Sequence, residues 1–514
     1  MRRNLTILIG VVAVTFGTVP AASAHPAVPL APTSPLDLTY AATDNVEFLG
    51  RFPEHAGTAG GRLVEDRFYL TDPRGVFVYD VSTPEQPSLL GSLPLPQSGT
   101  GAALAQEDPD TDGEILLVDA IDPTSGSLNA TLKVVDVSDP AAIRVIGAAP
   151  VADHTWTCVS TPTNGCAYAY GRTGYIVDLT DPTDPVVLDT SWREHVGLGE
   201  GFSNSPYTHD LTEFRTGRVM SAGAHNVLMD TSDPTAPRLL NDLEVEYHTF
   251  GYHSVEWANE GRDPILVAGT EIAPEGATNL AGSDCQGEGS WISTYGTRDV
   301  VAADRRFERT GNARQAARVG DASFEPLDTF HVEERGLFLD GNAPGHTLYC
   351  AHWMELAPSF DGGGRMVVAY YDWGTRFVDV APDGTMEEIG WFTPAEGYAG
   401  SAQWITDDIV YSMDYRRGLE VLRLTEEPAT GTVVGELDLL MIGSTAEVAP
   451  LWIRAGQHPS ALALALAGAL LLTAAVRRRN TAPPRCRRRR LTSHPLEPRG
   501  VRPCARTRSV GPRP

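Results

Sequence analysis

The sequence lacks the short motifs that mark several large enzyme classes. It has no GxSxG turn, no HExxH pair, no glycine-rich phosphate loop and no complete EF-hand loop. This argues against α/β-type serine hydrolases, zincin proteases, P-loop nucleotidases and EF-hand proteins. Residues 108–114 have alternating carboxylates, but without the remaining EF-hand spacing we interpret them as a solvated acidic turn. Amphipathic segments of helical period are also lacking, which argues against a helical repeat.

Positive charge is scarce relative to negative charge. Lys and Arg total 40 against 66 Asp and Glu, which gives a formal net charge of −26 at pH 7. Many of the Arg residues follow position 476, so the preceding part of the chain is more acidic still. Such a surface repels the phosphate backbone, so no nucleic-acid partner is expected. It favours cations or basic partners, or it serves solvation in a salty habitat.

A short β-branched run that ends in Asp, then Ser or Thr, then Pro recurs along the chain. The copies are residues 75–84 (GVFVYDVSTP), 132–140 (LKVVDVSDP), 174–182 (GYIVDLTDP), 226–234 (NVLMDTSDP) and 375–382 (TRFVDVAP), with a degenerate copy at 418–424 (GLEVLRL). Further strand patterns precede and follow each copy, which indicates four short strands per unit. The first four Asp markers are 42 to 56 residues apart, a spacing typical of propeller blades. We expect these carboxylates to accept hydrogen bonds from turn N–H groups.

The sequence therefore predicts an all-β fold: a β-propeller of seven four-stranded blades over residues 45–435. The blade markers in chain order are Asp80, Asp136, Asp178, Asp230, Asp379 and Arg423, with blade five in the 149-residue gap between Asp230 and Asp379. The polar segment at about 296–323 is predicted to be a long loop of blade five. Blade seven lacks a fourth strand, and residues 46–52 (VEFLGRF) predict an N-terminal strand that closes the ring there.

The repeated run resembles that of the LVIVD-repeat family, because residues 132–136 (LKVVD) approximate the Leu-Val-Ile-Val-Asp run. Residues 349–353 (YCAHW) and 374–380 (GTRFVDV) are also similar to sequences of that family. The resemblance covers nearly all of residues 46–424. It implies a secreted or surface β-propeller and no particular activity.

The N-terminal end of the chain predicts export. Residues 1–24 have a basic start, an apolar stretch and an Ala-Ser-Ala cleavage site, which is the pattern of a signal peptide. Residues 25–44 are rich in Pro and Ala and are expected to form an extended linker.

The C-terminal end predicts a membrane anchor. Residues 459–476 are mostly apolar and an Arg run follows them, which indicates a transmembrane helix with a cytoplasmic end. A juxtamembrane linker at 436–458 would precede it, and a basic disordered tail at 477–514 would follow in the cytoplasm. We expect a monomer whose propeller lies at the cell surface, anchored in the cytoplasmic membrane.

Four cysteines lie in the predicted exported part, an even count that suits an oxidising compartment. Cys158 and Cys166 flank a hairpin-like turn and are predicted to form a disulfide. Cys285 and Cys350 would then form the second. A metal–thiolate site is the weaker interpretation, because no CxxC spacing occurs.

Five histidines lie at or beside the first strand pattern of a blade: His55, His154, His209, His253 and His352. The separations from the Asp marker are 25, 24, 21 and 27 residues in blades one, three, four and six. Because the first strand of a blade is innermost, these imidazoles are predicted to ring one mouth of the central channel. Blade two, with Gly101, and blade seven, at 399–401, have small residues there, which predicts an open side.

Converging imidazoles predict a transition-metal site that would hold Cu, Zn or Fe. Asp153, Asp210, Glu256 and Glu355 are candidates to accept hydrogen bonds from these rings. The two Glu follow a His by three residues, so in a regular strand they would point to the opposite face and reach the channel only through a bulge. The alternative interpretation is one structural His that was copied with the repeat.

Two functional hypotheses follow from these patterns. The first is a membrane-anchored surface binding or scaffold module for a cell-envelope protein or polysaccharide, with the channel mouth and the blade-five loop as its face. The second is a metal-dependent enzyme that uses the histidine ring, with copper-dependent oxidation as one option. The sequence singles out no catalytic residue and no organic cofactor.

Overall fold

The computed structural model describes residues 39–58, 60–95, 106–121, 130–203, 206–244, 251–271, 291–332, 351–395 and 397–436. The predicted signal peptide, transmembrane helix and basic tail lie outside these residues, as do Cys285 and Cys350. No helix in the described ranges is long and apolar enough to cross a membrane.

The described strands form seven antiparallel sheets, which confirms the predicted all-β propeller with seven blades. From the innermost strand outward, blades one to four are Gly60–Val64, Arg67–Asp72, Gly75–Asp80 and Ser88–Pro94; Asp110–Thr111, Ile115–Ile121, Ala130–Asp136 and Arg144–Ala149; Trp156–Thr161, Asn164–Gly171, Ile176–Asp178 and Val186–Val187; and Thr208–Arg215, Arg218–Gly223, His225–Asp230 and Arg238–Glu244. Blades five to seven are Ser254–Glu256, Ile265–Gly269, Ile292–Gly296 and Glu325–Phe330; Met354–Leu356, Gly364–Ala369, Thr375–Val380 and Met386–Pro394; and Ala399–Trp404, Ile409–Asp414, Gly418–Leu424 and Val46–Phe52.

The seven sheets form a closed ring. The innermost strand of each blade contacts the innermost strands of its two neighbours, including those of blades seven and one. An apolar cluster fills each interface between neighbouring blades, so the core is distributed around the axis in seven parts. Each fully buried Val or Leu in these clusters contributes roughly 1.5–3 kcal/mol relative to an exposed one. The innermost strands therefore line a common channel.

The N-terminal strand closes the ring as predicted. Val46–Phe52 pairs antiparallel with Gly418–Leu424 and forms the outermost strand of blade seven. Phe52 packs in the cluster between blades seven and one, and Val46 packs in the cluster between blades six and seven. The first and last parts of the propeller are thereby joined within one sheet, which removes an exposed edge.

The prediction of an extended linker is wrong at its C-terminal end. Thr39–Thr43 is a strand that pairs with Met386–Pro394 on one side and with Thr432–Glu436 on the other. Blade six therefore has six strands. Ala41 and Ala42 are completely buried in this arrangement, which explains why an Ala-containing segment is ordered here.

The repeated Asp residues stabilise turns, as the sequence predicts. Asp136 Oδ1 accepts hydrogen bonds from the N–H and the hydroxyl of Ser138, and Asp178 does the same for Thr180. Gly91, in the strand that follows the turn of blade one, is required for a different reason. A Cβ at Gly91 would lie 1.8 Å from the carbonyl oxygen of Pro140 in the next blade. Only Gly allows the outer strand to approach the neighbouring turn this closely.

The prediction of a long loop at 296–323 is also wrong. Four helical segments occur in the described residues: α1 (Trp192–Val196), α2 (Ala258–Gly261, a single turn with left-handed φ angles at Asn259 and Glu260), α3 (Arg298–Thr310) and α4 (Ala313–Gly320), together with short 3₁₀ turns at Pro53–His55 and Pro140–Ala142. Helices α3 and α4 occupy the predicted loop, because Val300, Phe307 and Val319 are buried in the cluster between blades four and five. Asp304 is buried as well, where it pairs with Arg218 of blade four at 2.8 Å.

The disulfide between Cys158 and Cys166 is present. It joins the first two strands of blade three, where Cys158 pairs with Ala169 in the strand ladder. Both cysteines belong to the apolar cluster between blades two and three.

Candidate functional site

The innermost strands of blades three to six bring four of the five predicted histidines to the channel axis. His154, His253 and His352 lie one or two residues before their strands, and His209 is the second residue of its strand. The imidazole rings of His209 and His253 are stacked with 3.6 Å between centroids, and those of His253 and His352 are 4.4 Å apart. We name these four residues the histidine cluster.

Glu107 joins the histidine cluster from blade two. Its Oε2 atom lies 3.2 Å from His154 Nε2, 3.9 Å from His209 Nε2 and 3.8 Å from His352 Nε2. The Nε2 atoms of His154 and His209 are 3.1 Å apart. Gly101, where an open side was predicted, lies outside the described residues; the described residue of blade two that reaches the histidine cluster is Glu107, which carries a carboxylate.

A second carboxylate approaches the histidine cluster from the end of the second strand of blade five. Glu271 Oε2 lies 3.8 Å from His253 Nε2, and its Oε1 accepts a hydrogen bond from the Tyr371 hydroxyl at 2.7 Å. Tyr371 has a φ of 35°, in the left-handed region that a bulky aromatic residue rarely adopts. The strained backbone directs an aromatic ring to 4.6 Å from the His352 ring, and strain of this kind concentrates at functional sites.

Burial keeps His209, in the middle of the histidine cluster, neutral. His209, His253 and His352 are almost completely buried, and burial together with the neighbouring His253 and His154 holds the pKa of His209 well below its usual range. His352 Nδ1 hydrogen-bonds to the carbonyl of Gly400, which can only accept. In its neutral form, His352 therefore carries its proton on Nδ1 and its lone pair on Nε2, the atom 3.8 Å from Glu107 Oε2. Neutral imidazole nitrogen is the form that binds metal.

His154 is the partly exposed member of the histidine cluster, since 22% of its side chain is accessible to solvent. The other three imidazoles are 0–2% exposed. Solvent therefore reaches the cluster beside blade three.

His55 does not belong to the histidine cluster, so this part of the prediction is wrong. It lies in the 3₁₀ turn Pro53–His55, between the closing strand and blade one. Its Nδ1 is 2.9 Å from Asp72 Oδ2 and its Nε2 is 2.5 Å from the hydroxyl of Tyr79. The first strand of blade one begins only at Gly60, so His55 precedes the axial position and serves a buried structural network.

The four acidic residues that were predicted to accept hydrogen bonds from the imidazoles have other roles in the structure. Asp153 accepts hydrogen bonds from the N–H and hydroxyl of Thr173 and stabilises a turn. Asp210, Glu256 and Glu355 line a cavity in the channel next to the histidine cluster. Among the described residues, the carboxylates that approach the imidazole nitrogens of the histidine cluster are those of Glu107 and Glu271, and neither residue was predicted.

The cavity lies further along the channel than the histidine cluster. In six blades, a residue that lines it comes three residues after the residue that occupies the histidine-cluster position. These lining residues are Asp110, Thr157, Thr212, Glu256, Glu355 and Gln403, which follow Glu107, His154, His209, His253, His352 and Gly400. In a regular strand, side chains three residues apart would point to opposite faces. That rule does not apply here, because His253 and His352 precede their strands and the strand pairing shifts register at Thr208/Asp210 and Ala399/Ser401. Both sets of residues therefore face the channel.

The histidine cluster and the blade-five helices lie at opposite faces of the propeller. Neighbouring strands of a blade are antiparallel, so the start of the first strand and the connection from the third to the fourth strand are at opposite ends. Helices α3 and α4 form that connection in blade five. The prediction that the channel mouth and the blade-five segment form one face is wrong.

Comparisons with known proteins extend to the fold alone. Three similar crystal structures are the β-propeller domain of Myceliophteria thermophila Cps50 (Swd1), at TM-score 0.46 and 10% identity, the WD40 β-propeller domain of Doa1, at 0.41 and 8%, and the WD40 repeats of RRP9, at 0.43 and 8%. Each match covers 74% of this chain and 97–100% of the other. No protein-family model and no curated protein matches the sequence.

Proposed function

We propose that the protein is a metal-dependent β-propeller whose histidine cluster binds a divalent transition-metal ion together with Glu107. One observation carries this proposal: Glu107 Oε2 lies within 3.9 Å of the Nε2 atoms of His154, His209 and His352 at once. The ligand atoms that lie within 4.8 Å of one another form three overlapping groups, which are Glu107 with His154 and His209, Glu107 with His253 and His352, and Glu271 with His209 and His253.

The distances agree with a shared ion. Imidazole nitrogen and carboxylate oxygen bind such ions at about 2.0–2.2 Å, so two ligands of one ion can be at most about 4.4 Å apart. The His154–Glu107, His209–Glu107, His352–Glu107 and His154–His209 separations are 3.2, 3.9, 3.8 and 3.1 Å. Each is below that limit.

The donor set selects the class of metal. Neutral imidazoles with a carboxylate suit Cu, Zn and Fe, whereas Ca and Mg prefer oxygen ligands alone. His154, at the solvent-accessible side, marks the direction from which water or a small substrate would reach the ion. A site reached from one side fits metal-dependent catalysis better than a closed structural site.

Metal analysis of the full-length protein tests this proposal. We expect about one Cu, Zn or Fe ion per chain, and loss of that ion in the double variant His209→Ala, His352→Ala. His225→Ala is the matched control, because His225 lies near the surface and pairs with Asp242. A wild-type protein that holds no ion after incubation with each of the three metals, or a double variant that holds as much as wild type, would refute the metal site.

A surface binding module remains our second proposal, at the face opposite the histidine cluster. A cleft of about 590 Å³ lies beside the blade-five helices, lined by residues that include Pro264, Arg298, Phe324, Leu327 and Pro382. A cell-envelope protein or polysaccharide is the proposed ligand. Capture of one such ligand by wild type but not by the charge reversal Arg298→Glu would support this; equal capture by both would remove the cleft from consideration.

The remaining features of the chain are proposals from its sequence. We propose membership of the LVIVD-repeat family, export by residues 1–24, and anchoring by residues 459–476 with the basic tail in the cytoplasm. Treatment of intact cells with an external protease would test this orientation. We expect the propeller to be digested and the basic tail to be protected.

A further inference from the structure

The cavity next to the histidine cluster is strongly acidic. Seven carboxyl groups line it, and among the described residues Arg62 is the one cation there. The carboxylates come from Glu107, Asp108, Asp110, Asp210, Glu213, Glu256 and Glu355. Ionised carboxylates that face one another away from bulk water are unfavourable unless protons or a cation compensate them.

Strand backbone orients several of these carboxylates. Asp110 accepts a hydrogen bond from the N–H of Cys158 at 2.8 Å, and Glu355 accepts one from the N–H of Trp404 at 2.6 Å. Glu213 accepts from Ser160 N–H at 3.0 Å. Each of these hydrogen bonds joins the carboxyl group of one blade to the backbone of a neighbouring blade. The contacts between blades therefore fix the positions of these three carboxylates.

Two buried oxygen atoms at the cavity indicate a ligand. Asp210 is 1% exposed, and its Oδ1 atom has no hydrogen-bond partner among the described residues. The same holds for the Oε1 atom of Gln403. Buried polar atoms in folded proteins nearly always have a partner, which is often an ordered water or an ion.

We propose that this cavity is a second cation site, which binds a hard divalent ion such as Ca²⁺ or Mn²⁺ with part of its water shell. The lining offers oxygen ligands and no imidazole, which is the donor set of hard ions. The cavity holds about 40 Å³ of free space. This is enough for an ion and one or two waters, since a water needs roughly 10–15 Å³.

Solvent access favours the same conclusion. Arg62 lies 3.8 Å from Asp110 and 41% of its side chain is exposed, so the cavity is reached beside Arg62. Trp353 lines the cavity as well, and its indole Nε1 has no hydrogen-bond partner among the described residues. An ordered water of the cavity that is not bound to the ion would accept from that N–H.

Protons compete with the ion for the same carboxylates. Burial raises the pKa of Glu256 to about 7 and that of Glu355 to about 8. Without a cation these groups hold protons near neutral pH, and a bound ion would displace them.

Terbium luminescence tests the site directly on the full-length protein, because Tb³⁺ replaces hard divalent ions and Trp353 can transfer excitation to it. We expect saturable emission that excess Ca²⁺ abolishes. In Glu256→Gln, Glu355→Gln the affinity should fall at least tenfold, and in Glu426→Gln, Glu427→Gln, which changes two exposed carboxylates, it should not change. In Trp353→Phe the emission should fall while calorimetric Tb³⁺ binding persists.

The site borders the metal centre proposed above and shares the Glu107 carboxylate with it, but its other carboxylates are distinct, and the experiment distinguishes the two. His209→Ala, His352→Ala should keep the Tb³⁺ site, and loss of emission in that variant would show that the two are one. Absence of saturable Trp353-dependent emission in wild type, or equal affinity in the Glu256 and Glu355 double variant, would overturn the second site. Either result leaves the transition-metal measurement unaffected.

Discussion

Glu107 of blade two and His352 of blade six approach each other across the channel, with 3.8 Å between Oε2 and Nε2. These blades are not neighbours in the ring, since blades seven and one separate them on one side and blades three to five on the other. An ion bound by both residues would connect parts of the fold that the sheet hydrogen bonds do not connect.

Metal binding should therefore raise thermal stability. Since the ion would bind the folded chain and not the unfolded one, saturation at about 100 times Kd adds about 2.7 kcal/mol to the free energy of unfolding. We expect Glu107→Gln to abolish most of the increase in Tm that the bound metal gives over chelator-treated protein.

Glu114→Gln is the control for that change, because Glu114 is an exposed carboxylate of the same acidic segment. Calorimetry with and without chelator makes the comparison. An unchanged metal-dependent shift in Glu107→Gln would exclude Glu107 as a ligand.

Chelator-treated protein should lose stability as pH rises from about 4.5 to 8. The pKa of Glu256 is raised to about 7 and that of Glu355 to about 8 by burial, so the folded chain binds these protons at pH values where the unfolded chain has released them. The stabilisation is fully present below the unfolded pKa and is lost as pH rises through the folded pKa.

The double variant Glu256→Gln, Glu355→Gln should show a flatter dependence of Tm on pH and a higher Tm at pH 8. Thermal melts in chelator at several pH values measure this, with Glu426→Gln, Glu427→Gln as the surface control. Parallel curves for wild type and the cavity variant would contradict the prediction.

His55→Ala should destabilise the fold without affecting metal content. The change removes a buried partner of Asp72 and of Tyr79, and Asp72 keeps only Arg74 near its carboxylate. Breaking a buried network of this kind costs about 2–3 kcal/mol of unfolding free energy. Urea denaturation and metal analysis of the same preparation distinguish this role from ligation, and a loss of metal without a loss of stability would reverse the assignment.

Removal of the Cys158–Cys166 disulfide should lower stability by roughly 2.5 kcal/mol in the chain-entropy model, because the closed loop is short. The variant Cys158→Ala, Cys166→Ala is the direct test in chemical denaturation. Reductant should destabilise wild type and leave the variant unchanged. A variant as stable as oxidised wild type would show that the bond has no net effect.

The sequence predicts the blades well because each carries local signals. A β-branched run forms a strand with buried side chains, and an Asp such as Asp136 accepts a hydrogen bond from the turn that follows it. Both features depend on neighbouring residues, so each intact copy of the repeat predicts its own strand and turn. Four of the five histidines could be placed for the same reason. His55 was wrongly included because its distance to Asp80 matches the other blades, although it lies on the connection before the strand.

Glu107 was missed because the innermost strand of blade two has only two residues, Asp110–Thr111, and its acidic surroundings look like a solvated turn. Glu107 precedes Asp110 by three residues, just as His253 precedes Glu256 by three. This shared spacing is the sequence signal that could have identified Glu107. Helix α3 was missed because Asp304 and several Arg residues interrupt its apolar pattern. Asp304 is buried only through pairing with Arg215 and Arg218, a long-range contact that local sequence does not reveal.

Thr39 and Glu436, at the two ends of the described propeller, are paired on the outer edge of blade six. The described chain thus enters and leaves the ring at one point, through two adjacent strands. These strands belong neither to the sheet of blade seven, which closes the ring, nor to the strands that line the channel. A load applied to the chain on either side of the propeller would therefore act first on the hydrogen bonds between these two strands and not on the strands that line the channel.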